Sequence, residues 1–153
     1  MNSPSLEDAI ILATDAHRGQ KDRNDEPYIM HPLRVAAQLW GYDERVVAVL
    51  HDVIEDTAVT LADLLDAGYP PHIVEAVDAI SKRKDVDEPY SQYIQRVKKN
   101  ALATKVKLAD LRDNANLDRL PKVLASDLKR LDRYNRALQY LTGRYPSPDI
   151  LID

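Results

Sequence analysis

The stretch Val49-Leu50-His51-Asp52-Val53-Ile54-Glu55-Asp56-Thr57 sets four ionisable side chains inside an aliphatic frame. A surface helix needs no such frame, and a core helix cannot hold unpaired carboxylates without a cost of several kcal/mol, in order of magnitude. A shared cation removes that cost. Two further residues have the same character. His31 stands just before Pro32 at the start of an apolar segment, and Asp110 lies among aliphatics in Val106-Lys107-Leu108-Ala109-Asp110-Leu111. The chain has no cysteine, so a metal must take nitrogen and oxygen ligands. His31, His51, Asp52 and Asp110 supply two imidazoles and two carboxylates and leave positions for water. Such a set suits Mn²⁺, Fe²⁺ or Zn²⁺ better than Ca²⁺, and the spacing does not choose among them. Residues four apart share a helix face, so His51 falls above Glu55 and Asp52 above Asp56. Glu55 and Asp56 therefore come within reach of a water or substrate bound to the ion.

The elements that must position these groups read as helices almost throughout. Ser5 with Asp8 forms a capping box, opening a helix that runs to His17. After the loop Gly19–Pro27, Pro32 suits the first turn of a second helix that stops at Gly41. A third is expected without a break from Asp43 through Asp56. Thr60 with Asp63 caps a short helix ending near Gly68, and a fifth follows Pro71. Residues 81–89 form a charged loop. Further helices are expected over 90–99, over 101–120 and from Leu124 to Leu141. Alternating β patterns are nearly absent. The expectation is a single all-α domain, residues 1–153, of seven or eight helices. Its motifs lie within residues 13–120, and 121–153 form a C-terminal helix and an irregular tail.

Composition narrows the function classes. The 153 residues are 44% hydrophobic and 30% charged, with no Phe and one Trp, so aliphatic side chains build the core. The N-terminus lacks the basic start and apolar run of a signal peptide, and no stretch approaches the ~18 apolar residues of a membrane span. Cytoplasm is the expected location, with no membrane partner. The net charge of −4 argues against nucleic-acid binding. Its distribution is uneven. Asp43 to Asp66 holds seven carboxylates and one arginine, whereas Tyr90 to Ala109 holds five Lys/Arg and no acid. An acidic cation site facing a basic anion site is the arrangement a metal-dependent phosphate enzyme needs. Arg18, Lys21, Arg23, Lys105 and Lys107 are candidates for holding phosphate charge. His17, His72 and the Tyr90–Tyr93 pair read as structural.

Four ordered motifs then stand out: His17-Arg18-Gly19-Gln20, Pro27-Tyr28-Ile29-Met30-His31-Pro32, His51-Asp52-Val53-Ile54-Glu55-Asp56-Thr57, and Lys107-Leu108-Ala109-Asp110 with Asn114. Their order and spacing resemble the HD-domain metal-dependent phosphohydrolases. The nearest likeness is to the alarmone hydrolase domain of Rel/Spo-type enzymes and to stand-alone small alarmone hydrolases. The resemblance implies His31, His51, Asp52 and Asp110 as ligands of Mn²⁺, Glu55 and Asp56 as a catalytic pair, and Asn114 as a substrate contact. It also implies the reaction: loss of the 3′-diphosphate from guanosine tetra- or pentaphosphate. A chain of this length has no room for a synthetase domain, so hydrolysis alone is expected. Three positions depart from the family pattern. Asp22 stands where an arginine packs against the purine, Asp25 replaces a glycine before Glu26-Pro27-Tyr28, and Leu117 replaces a threonine near the ribose. These departures keep two alternatives open: a phosphohydrolase for another nucleotide, and a nucleotide-binding module that retains the metal without catalysis.

Overall fold

Val46-Val47-Ala48-Val49-Leu50 leaves no polar face, and a helix that is apolar all round belongs inside the protein. The computed structural model, which describes residues 2–153, places all five of these residues at zero exposure in α3, Tyr42–Leu50. Burying each such aliphatic side chain stabilises the fold by about 1.5–3 kcal/mol. Around α3 pack α1 (Leu6–Ala16), α2 (Met30–Ala37), α6 (Pro71–Ile80) and α8 (Ala101–Asn114). The second hub is α8, which also touches α2, α6, α7 (Tyr90–Lys98) and α9 (Ala125–Leu141). Two short helices complete the set, α4 (Val53–Asp56) and α5 (Leu61–Asp66), with 3₁₀ turns at Leu117–Arg119 and Pro148–Ile150. The fold is all-α. Among the described residues the only β pairing is an isolated bridge between Lys21 and Pro27. No helix among them is long and apolar enough to cross a membrane.

Local sequence explains most boundaries. The Ser5–Asp8 and Thr60–Asp63 capping boxes form as expected, with both reciprocal bonds at 2.9–3.1 Å. Two expectations are corrected. The helix expected from Asp43 to Asp56 breaks at His51-Asp52, and α3 and α4 are separate. The helix expected to reach Leu120 ends at Asn114, where Asn116 caps a 3₁₀ turn instead. With α3 and α4 counted as one, the described residues hold eight α-helices, within the seven or eight expected.

Candidate metal centre

The break between α3 and α4 makes the centre possible. On an unbroken helix neighbours diverge by about 100°. Here the His51 ring nitrogen Nδ1 donates to Ala48 O at 2.6 Å, while Asp52 takes φ −103° and ψ −4°. Those angles lie in the sparsely populated bridge region common at functional sites. The kink turns both side chains to one point, with His51 Nε2 3.1 Å from Asp52 Oδ2. From α8, Asp110 brings Oδ1 to 3.3 Å from His51 Nε2. From α2, His31 brings Nε2 to 2.8 Å from Asp110 Oδ1 and 3.8 Å from Asp52 Oδ2. Four donor atoms from three segments thus converge.

The chemistry of this donor set fits a divalent ion. With Nδ1–H committed to Ala48, His51 Nε2 is buried, has no hydrogen-bond partner and turns a lone pair toward two carboxylate oxygens. Three anionic or lone-pair donors facing one another are stable only around a cation. Burial would lower His31 and His51, but the carboxylates opposite outweigh it and raise both. Burial would raise Asp52, but His51 brings it down to about 2. Lys107 and His51, against burial, hold Asp110 well below the usual carboxylate range. The ligand atoms are themselves braced. Tyr28 donates its hydroxyl to Asp52 Oδ2 at 2.5 Å, and Lys107 Nζ donates to Asp110 Oδ2 at 2.8 Å.

Glu55 and Asp56 lie beside the centre on α4. Glu55 Oε1 accepts the Lys82 backbone N–H at 2.6 Å. The loop that offers this donor is fastened by Arg96, which donates to Ala79 O and Ser81 O and pairs with Glu88. Burial pushes the Glu55 carboxyl above its ordinary value and outweighs the Lys82 donor, and Asp52 adds to the rise. Asp56 is raised by burial and by Asp52. The chain of His17 Nδ1 to Gln20 Oε1 (2.8 Å) and Gln20 Nε2 to Asp56 O (2.7 Å) anchors α4 to the end of α1. That gives the first motif its structural purpose.

Two cavities meet here. The smaller, about 190 Å³, contains the four ligand candidates, Glu55, Asp56 and Lys107. The larger, about 540 Å³, is lined by Lys21, Asp22, Arg23, Arg34, Arg119 and Arg130 among others. Tyr28, His31, Asn114 and Tyr134 line both.

Most of the residues singled out in the sequence come together, but not all. Asn114 reaches Asp110 Oδ1 at 3.2 Å from the shared wall. Lys107 is buried against Asp110, and Lys21 lines the larger cavity with a partner in Asp25 at 3.3 Å. Arg23 also lines that cavity, but its guanidinium is bonded to Asp127. Arg18 lines neither cavity and pairs with Asp15 on the surface at 2.6 Å, and Lys105 pairs with Glu44 at 3.2 Å. Asp22 accepts from the backbone N–H groups of Asn24 and Glu26, organising its own loop. Asp25 takes φ 63°, the left-handed region that glycine enters freely and aspartate tolerates. His72 pairs with Asp43 at the surface and Tyr93 donates to Ile80 O, both structural as read. Both tyrosines line the smaller cavity, but Tyr90 differs in that its buried hydroxyl has no hydrogen-bond partner. Sequence reading missed Gln20, Lys82 and Asp113 as supports. For Asp113 a signal existed: it follows Asp110 by three, on the same helix face.

The chain is similar to known proteins in sequence and in fold. A family model described as HD domain matches residues 9–129, a span that includes every ligand candidate. The chain belongs to the HD domain family. Its motif order, which resembled that family in the sequence alone, is that of a member. This HD domain is 43% identical over 82 residues, 51% of the chain, to guanosine-3′,5′-bis(diphosphate) 3′-pyrophosphohydrolase of Vibrio cholerae serotype O1, of which it covers 12%. It is 36% identical over 121 residues, 71% of the chain, to the bifunctional (p)ppGpp synthase/hydrolase SpoT of Escherichia coli K12, of which it covers 17%. The chain thus spans less than a fifth of these relatives. Its fold matches the solved structure of a metazoan ortholog of SpoT that hydrolyzes ppGpp and plays a role in starvation responses. That match has a TM-score of 0.76 and 23% identity, over 94% of this chain and 89% of that one. At that identity the likeness is one of fold.

Proposed function

We propose that the chain is a metal-dependent nucleotide phosphohydrolase that removes the 3′-diphosphate from guanosine tetra- or pentaphosphate, with Mn²⁺ as its ion. The observation that carries the proposal is the convergence of His31 Nε2, His51 Nε2, Asp52 Oδ2 and Asp110 Oδ1 beside the Glu55–Asp56 pair. The relatives' names supply the substrate class. His31, His51, Asp52 and Asp110 hold the ion. When bound, it lowers the pKa of water and polarises a phosphoryl oxygen. Glu55, held by the Lys82 N–H, takes the proton of the attacking water. Asp56, which lines the same cavity, gives a proton to the departing ribose 3′-oxygen. Water adds to phosphorus, the bond from phosphorus to the 3′-oxygen breaks, and pyrophosphate is released. Lys82, Lys107 and Arg133 bring positive charge to the smaller cavity, and Asn114 and Tyr134 stand where the nucleoside enters it.

One observation favours a second reading, a phosphohydrolase for another nucleotide. Asp22 is turned into its own loop, Arg23 is engaged by Asp127, and Leu117 gives the larger cavity an apolar spot. No free guanidinium of that loop faces a purine. A panel of guanosine and adenosine nucleotides with Mn²⁺ separates the readings. Pyrophosphate released from guanosine tetraphosphate in preference to the rest supports the first. Turnover confined to another nucleotide supports the second. Binding without turnover of any nucleotide overturns both and leaves a sensor module.

A further inference from the structure

The four motifs leave Asp113 unassigned, yet its buried carboxylate lies between the two cavities' chemistry. It follows Asp110 by three residues on α8, so both face the same side of the helix. They grip His31 from opposite ring nitrogens, Asp110 Oδ1 2.8 Å from Nε2 and Asp113 Oδ2 2.7 Å from Nδ1. A ring held at both nitrogens cannot turn, and a proton on Nδ1 leaves the Nε2 lone pair for an ion. A carboxylate behind a ligating imidazole also raises its basicity. The other side of Asp113 meets the larger cavity. Arg34 Nε lies 3.0 Å from Oδ1 and Arg34 Nη2 3.2 Å from Oδ2, while Arg119 Nη2 lies 3.3 Å from Oδ1. Arg34 therefore competes with His31 for the same oxygen.

We propose that Asp113 is a positioning residue of the metal centre. It holds His31 as the Nδ1–H tautomer with Nε2 turned to the ion, and Arg34 and Arg119 set how much negative charge it presents to that ring. The proposal rests on the metal reading above, and its own content is a pair of opposite signs. Removing the charge of Asp113 weakens His31 as a donor. Removing Arg34 frees charge on Oδ2 and does not. Both changes break an ion pair and lower the melting temperature, so a residue that merely braced the fold would show ion binding weakened in both.

The test is calorimetric titration of the folded proteins with Mn²⁺ alone, well below their melting temperatures. Asp113→Asn should bind about 10- to 100-fold more weakly than wild type, the usual loss for a partner of a ligating histidine. Arg34→Gln should bind at least as tightly as wild type. A second measurement needs no variant. With diamagnetic Zn²⁺ bound to the wild-type protein, nitrogen NMR should find the His31 proton on Nδ1. Equal Mn²⁺ affinity in wild type and Asp113→Asn overturns this proposal alone, as does comparable weakening in Arg34→Gln or a His31 proton on Nε2. A wild-type protein that takes up no Mn²⁺ overturns the metal reading, and this proposal with it.

Discussion

Adding the ion should raise the melting temperature, and the size of the rise should grow with pH. In the ion-free protein, two buried carboxylates and two buried imidazoles face one another within 2.8–3.8 Å. They tolerate this by holding protons, which is why His31 and His51 lie above the ordinary histidine value. A histidine raised in the folded state adds stability that is fully present below its unfolded pKa and lost as pH rises through the folded value. Bound Mn²⁺ replaces those protons, so it competes with them at low pH and wins as pH rises. At a hundredfold excess over its dissociation constant the ion adds about 2.7 kcal/mol. For a chain of this size each kcal/mol is worth roughly 2–4 °C, giving a shift of about 5–11 °C. Thermal unfolding with a chelator and with Mn²⁺, at about pH 6 and about pH 8 on either side of the histidine range, measures it. Asp110→Asn should abolish the shift by removing a carboxylate that faces both histidines. No shift in wild type, an equal shift in Asp110→Asn, or a larger shift at the lower pH would refute the reasoning.

Other perturbations separate the roles of the neighbours. Glu55→Gln should lower turnover by about 10²- to 10⁴-fold, the usual worth of a general base, while the Mn²⁺-induced melting shift persists. Loss of that shift would make Glu55 a ligand. Tyr28→Phe removes a hydrogen bond to the Asp52 carboxylate, an interaction worth about 1.5–3 kcal/mol at most, and should weaken Mn²⁺ binding in calorimetry. Unchanged binding would mean that Asp52 is aimed without it. Arg23→Ala frees the 20–28 loop from Asp127, which keeps Arg130 at 2.7 Å, so KM should rise several-fold with kcat little changed. A fall in kcat at constant KM would place Arg23 at the reacting groups instead.

The sequence made the donor set legible because the chemistry needs particular residue types in apolar frames. His31, His51, Asp52 and Asp110 are all meeting points of that kind, and the structure brings them together. The capping boxes at Ser5 and Thr60 were legible for the same local reason. The break at His51-Asp52 was not. Its cause is a side chain bonding its own backbone, His51 to Ala48 O, inside a run whose apolar pattern continues unbroken from Val46 to Ile54. Periodicity reports burial, and Val53 just after the break is as fully buried as Val46–Leu50 before it. The basic residues were the least legible. Long cationic side chains often choose partners by tertiary proximity: Arg23 and Lys105 each found a carboxylate far off in sequence, while Arg18 took Asp15 one turn back. Asp113 went unread because its partners, His31, Arg34 and Arg119, come from other segments.

Under the proposed function, the two cavities divide the problem of specificity from that of chemistry. A space of about 540 Å³ is within the usual range for a small-molecule site, whereas about 190 Å³ falls below it. The departures from the alarmone hydrolase pattern, at Asp22, Asp25 and Leu117, fall in the larger cavity or in the loop that borders it. The smaller cavity keeps its motifs intact. Asp25 adopts the left-handed backbone that a glycine would, and the Asp22 carboxylate ties the turn that carries it. Under the proposed function, the smaller cavity carries the reaction, and the choice of nucleotide falls to the larger one and the loop that borders it.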